Sequence, residues 1–231
     1  MQKLPNPEEM VVQKAVLNPE EEVDMKSPKG GVATQSALTK KALIEYGPDV
    51  EENLACGESE TTLSNCLKNH AIAPLLRAKM VNWMIEVLNT FECEDQAFFV
   101  AVGLMDLYFA SSAKMLNADD VHLAGIVAMF IASKYVDYYP LKMKVVHEKI
   151  AHGSFAIESI KTKEREIMRT IKFCVTFPTV LNFIDQFIES WVFSRHGDFT
   201  QKHWDTLTRM RRICVYYGKL AAYDYHLLEY S

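Results

Sequence analysis

Read from their own pattern, the 231 residues fold as helices packed on helices. Three observations carry this. Leu76, Met80, Trp83, Met84, Val87, Leu88 and Phe91 recur at three- and four-residue steps, the stripe of an amphipathic helix. Strict apolar–polar alternation, the signature of a half-buried strand, is nowhere sustained. Glycine and proline, the usual punctuation of turn-rich folds, become sparse after residue 75.

The elements follow in order. Pro74 precedes the first stripe, where proline is tolerated in the opening turn. A second helix spans about Glu94 to Ala110 and carries the apolar run Ala97–Met105. Asp119-Asp120 offers a cap and favourable dipole charge for a third, running to about Tyr135. Between Leu123 and Ala132 that helix has no polar face, so it belongs at the centre of a bundle. Pro140 opens a fourth helix that ends near Gly153, and Ile157 to Phe173 makes a fifth. The fifth has the register Ile160, Glu164, Ile167, Met168, Ile171. After Phe177-Pro178 the stripe Val180, Leu181, Phe183, Ile184, Phe187, Ile188, Trp191 begins another helix, and a last one covers about 200–222.

Apolar residues make up 49% and charged residues 24%, a balance that supports a core without disulfides or metal. The formal net charge of -5 lies wholly in residues 1–70, and residues 71–231 are neutral. Without a basic stripe, a nucleic-acid partner held by phosphate contacts is not expected. The longest apolar run, Leu123 to Ala132, is too short to span a bilayer, so no membrane partner is expected either. Five cysteines (Cys56, Cys66, Cys93, Cys174, Cys214) lack any C-x-x-C pair and read as reduced thiols, with no metal site and no cofactor. Residues 1–39 read as a disordered acidic segment, 40–74 as an N-terminal helix and linker, 75–177 as a first helical repeat and 178–231 as part of a second. Ser27-Pro28-Lys29 fits a proline-directed phosphorylation site at Ser27, or else an inert linker.

Catalytic strings are missing: no G-x-S-x-G, Walker-type loop, H-E-x-x-H or calcium loop occurs, which points to a binding module rather than an enzyme. Two charges stand out instead. Asp106 closes the apolar run of the second helix, and Arg77 is the only arginine in the first 164 residues. They fit a structural ion pair joining the first two helices; the alternative is a solvated Asp106 at the helix edge. Lys134 follows ten apolar-helix positions, and from the residues alone its stem extends to water.

Three strings then carry a family resemblance. Arg77-Ala78-Lys79-Met80-Val81-Asn82-Trp83-Met84-Ile85-Glu86-Val87 resembles the opening of the cyclin box. Leu123 through Ser133-Lys134-Tyr135, followed by Pro140, resembles that family's third helix. Glu164 to Phe173 with Phe177-Pro178-Thr179 is similar to the fifth helix and the start of a second cyclin repeat. The stretch Glu45-Tyr46 through Leu76 is similar to the N-terminal helix of mitotic A/B-type cyclins, so the resemblance covers roughly residues 40–231.

The resemblance implies a five-helix repeat around a buried third helix, and a buried Arg77–Asp106 pair. It implies that Lys134, Tyr135 and Glu164 bind a cyclin-dependent serine/threonine protein kinase in cell-cycle control, in the nucleus and cytoplasm. It also implies a substrate- or inhibitor-docking groove at Leu76, Met80, Trp83 and Glu86, weakened by Lys79 where the family places an apolar residue. Val136-Asp137 stands in place of an acidic pair, and no R-x-x-L degradation string precedes Arg77. The competing readings are a transcription-factor-like cyclin-fold protein and a kinase-independent scaffold. Only about half of a second repeat follows Pro178, so the apolar faces beyond it are expected to be partly uncovered.

Overall fold

The computed structural model describes residues 46–58, 63, 65–194 and 201–229. The acidic segment 1–39, and Ser27 with it, lies outside the described residues. The described elements are α1 (46–58), α2 (Pro74–Thr90), α3 (Asp95–Ser111), α4 (Ala118–Val136), α5 (Met143–Val145, widening into a π-helical turn Val146–Ile150), α6 (Ile157–Thr170), α7 (Val180–Ser194) and α8 (Gln201–Ala221). A 3-10 turn, Tyr225–Glu229, follows. Among the described residues there is no strand, only one isolated bridge between Ala71 and Asn117. The protein is all-α, as the sequence pattern predicts.

α4 is the axis of the bundle. Every residue from Ala124 to Ser133 is buried, because α2, α3, α6 and the π-turn after α5 surround it. Two glycines let neighbours close in. Met80 on α2 lies where a side chain on Gly125 of α4 would sit, and the Phe177 ring does the same over Gly103 of α3. An added Cβ at Gly103 would stand 2.4 Å from that ring, so the chain after α6 can plug α3 only while residue 103 is glycine.

Three expected boundaries shift. The N-cap of α4 is Asn117 rather than Asp119-Asp120; the Asp120 carboxylate reaches back to accept the Asn117 N–H at 3.0 Å, while both aspartates keep their favourable place in the first turn. Pro140 does not open the fourth helix. Ser133 Oγ accepts the Leu141 N–H at 2.9 Å and holds the chain extended until Lys142. The fifth helix stops at Thr170 instead of Phe173, because Lys172 (φ 53°) and Phe173 (φ 60°) turn left-handed. The Phe173 N–H then bonds the Met168 carbonyl at 2.8 Å, closing the helix end.

α7 and α8 pack on each other and touch the bundle at few points. Leu181 and Val215 join the core, Lys219 reaches Asp95 at 2.6 Å, and Arg211 grips Asp185 with both carboxylate oxygens. Phe187, Trp191, Trp204, Ile213, Tyr216 and Tyr217 remain exposed. The apolar faces after residue 178 are therefore partly uncovered.

Candidate functional site

α2 and α3 are locked first. Arg77 Nε donates to Asp106 Oδ1 at 2.8 Å and Nη2 to Oδ2 at 2.6 Å, a two-pronged pair with side chains 0% and 1% exposed. The remaining Arg77 donor, Nη1, reaches the Ala222 carbonyl at 2.8 Å, tying the end of α8 to the same point. The guanidinium is held above its ordinary pKa; burial alone would lower it, and the Asp106 charge and hydrogen bonds outweigh that. Burial, with the Asp106 charge adding to it, pushes the Cys66 thiol beside this pair up to about 12. The geometry is that of a structural clasp, with no opening to a ligand.

With this frame fixed, α4 and α6 present their charged residues side by side. Lys134 Nζ bonds Glu164 Oε1, with side chains 38% and 24% exposed. The lysine does not simply run into water: its ammonium also lies 4.1 Å from the centre of the Phe130 ring. Tyr135, half exposed, bonds Thr176 Oγ1 at 3.0 Å and so links the end of α4 to the chain that leaves α6. Tyr138 and Tyr139, set edge to face, are among the most exposed aromatics described.

The four groove candidates lie along α2 but differ in access. Met80 is buried against Gly125, so it contributes to packing. Leu76 and Trp83 are half-buried, and the Trp83 ring meets His122 edge-on at 5.1 Å. Glu86 is exposed and accepts from Asn82 Nδ2 at 2.7 Å; Lys79 is exposed on the same helix.

A family model described as "Cyclin, N-terminal domain" matches residues 49–176, more than half of the chain. The chain belongs to the cyclin family. It is 25% identical over 82% of its length to a putative cyclin-B3-1 of Arabidopsis thaliana, matching 44% of that protein. It is 29% identical over 80% of its length to the G2/mitotic-specific cyclin cdc13 of Schizosaccharomyces pombe, matching 36% of that protein. The chain thus spans less than half the length of these curated relatives. The fold is similar to a crystal structure of a viral cyclin from herpesvirus saimiri, with a TM-score of 0.66, 15% identity, and coverage of 78% of this chain and 74% of that one.

Two features of this cyclin-family chain escape a reading of sequence. Asp137, just past the end of α4, accepts the Glu94 N–H at 2.9 Å and so ties the end of α4 to the start of α3. Lys163, in the middle of the buried face of α6, forms a polar knot with Tyr108 and Glu166. The one available signal for that knot is a lysine at the i+3 step between Ile160 and Ile167, where an apolar residue is expected. Among the described residues no group of His, Cys, Asp or Glu is placed to hold a metal, and no helix is long and apolar enough to cross a membrane.

Proposed function

We propose that this chain is a regulatory subunit that binds and activates a cyclin-dependent serine/threonine kinase in cell-cycle control, acting in the nucleus and cytoplasm and performing no chemistry itself. The observation that carries this reading is the Lys134–Glu164 pair: opposite charges on neighbouring helices, at the surface, beside the half-exposed Tyr135. In the free chain the two groups satisfy each other. A docking helix offers better partners at one of its ends, where backbone groups lack intrahelical bonds and the adjoining chain leaves further N–H and C=O groups beside them. Lys134 then donates to backbone carbonyls and Glu164 accepts from backbone N–H groups at that same end, and Tyr135 covers the contact.

Activation follows from differential binding. A kinase helix held inward places its glutamate against the lysine that orients ATP phosphates, so the surface that recognises only the inward form shifts the kinase toward it. The α2 surface of Leu76, Trp83 and Glu86 would serve as a weakened docking site for substrates or inhibitors, with Lys79 on its flank. No cofactor, nucleic acid or membrane is needed. Relatives named as mitotic cyclins do not favour the transcription-factor-like alternative.

The test is a kinase assay with the purified chain, a panel of cyclin-dependent kinases, and a Lys134→Glu variant. Charge reversal sets two acids against one docked helix and should weaken binding by about 2–5 kcal/mol, abolishing activation at micromolar protein. Activation by the parent that persists unchanged in Lys134→Glu would place the contact elsewhere.

A further inference from the structure

We infer that Tyr108, Lys163 and Glu166 are positioning residues that fix the rotation of α6 and thereby hold Glu164 against Lys134. The inference rests on the kinase-binding reading above and adds to it three residues that do not touch the partner surface.

α6 turns only Ile160, Lys163 and Ile167 fully into the bundle. Ile160 and Ile167, with Met168 and the buried Ile171 at the helix end, make a poor rotational stop by themselves, because apolar contacts are non-directional and tolerate small slides. Hydrogen bonds are not tolerant in this way. Lys163 Nζ donates to the Tyr108 hydroxyl at 3.3 Å and lies 2.9 Å from Glu166 Oε2, while the hydroxyl donates to Glu166 Oε1 at 2.7 Å. Each member thus bonds the other two, and Tyr108, on α3, is fully buried. Turning α6 by about 20° would move a side-chain tip about 6 Å from the helix axis by about 2 Å, enough to break such bonds.

The charge state suits this role. Burial alone would raise the Glu166 carboxyl, but the bonds from Tyr108 and Lys163 hold it below its ordinary pKa, so it is ionised at neutral pH. Burial and the neighbouring carboxylate push the Tyr108 hydroxyl up, so it keeps its proton and remains a donor. A buried lysine in an apolar stripe would otherwise be costly, and this ring of partners is what makes it tolerable.

The geometry then passes the constraint on. Glu164 is the residue after Lys163, one step of about 100° around the helix. While the knot faces α3, Glu164 faces α4 and meets Lys134.

The test uses the full chain and a Tyr108→Phe variant, which deletes one hydroxyl and leaves the ring in the core. Competitive acetylation read by mass spectrometry should show Lys134 labelled about threefold faster in the variant, the scale expected of a half-exposed ion pair set loose. The exposed Lys142 and Lys144 should label unchanged. With the kinase from the panel that binds the parent, Tyr108→Phe should weaken binding about threefold to tenfold and add little on a Glu164→Gln background. A general loss of stability would instead leave folded-state labelling of Lys134 unmoved and the two substitutions additive. Unchanged Lys134 labelling in Tyr108→Phe overturns the inference whatever the kinase result. If no kinase binds the parent while labelling still rises, the kinase-binding reading fails and the positioning role stands. Lys163→Met provides a second route to the same readout.

Discussion

Replacing Asp106 by alanine should be among the most damaging single changes to this bundle. The substitution removes both oxygens that hold Arg77 and leaves a guanidinium, 0% exposed, with the Ala222 carbonyl as its one remaining strong partner. Breaking a buried pair from one side costs about 3–5 kcal/mol, against a total stability of about 5–15 kcal/mol for a domain. At a urea slope of about 2 kcal/mol per molar, the midpoint should fall by about 2 M. The double variant Arg77→Met/Asp106→Leu strands no charge and leaves only the Ala222 carbonyl short of a donor. It should therefore recover about half of the loss, ending about 1–3 kcal/mol below the parent. The assay is equilibrium urea unfolding of the parent, Asp106→Ala, the singles Arg77→Met and Asp106→Leu, and the double variant at one pH, with the slope checked for constancy. A cost below about 1 kcal/mol for Asp106→Ala, or a double variant as poor as the sum of the singles, would refute the view of Arg77–Asp106 as a coupled, desolvated clasp.

Gly103→Ala should destabilise by about 1–3 kcal/mol in thermal unfolding, because the added methyl meets the rigid Phe177 ring and either the ring or α3 must move. The acid response should contain a contribution from Glu166. Its carboxyl is depressed in the folded chain, so the stabilisation is complete above the ordinary carboxylate pKa and is lost as pH falls through the lower folded value; the gap between parent and Glu166→Gln should begin to narrow as pH drops below the ordinary carboxylate range and keep narrowing with further acid. In a thiol titration at pH 8, exposed Cys174 and Cys214 should react quickly, while Cys66, buried and with its pKa pushed up to about 12, should react only on unfolding. Hydrogen exchange should be faster in α7 and α8 than in α4, whose backbone is enclosed by four neighbours; equal protection would contradict the uncovered faces seen after residue 178.

Whatever depends on local pattern can be read along the chain before it folds. The unbroken apolar run Leu123–Ala132 could only be a buried helix, and the stripes before and after it could only pack around that helix. Arg77 and Asp106 were legible as partners because a lone arginine and a carboxylate ending an apolar run each need a counter-charge when buried. The proposed kinase-binding role of Lys134 comes only from its resemblance to a cyclin string, since a lysine at the end of an apolar helix by itself reads as a stem leading to water.

Features that depend on residues far apart in the chain emerge only in the folded molecule. The start of α5 moved past Pro140 because Ser133, eight residues earlier, captures the Leu141 N–H. Asp137 became the tie to α3, 43 residues away, and Arg77 found its third acceptor in Ala222, 145 residues on. The Tyr108–Lys163–Glu166 knot is the clearest case. Periodicity marks Lys163 as a flaw in an apolar stripe, and nothing local reveals that a tyrosine on another helix waits to receive it. Helix propensity and amphipathic period act within a few turns, whereas satisfying a buried donor is settled only where the folded chain brings its acceptors.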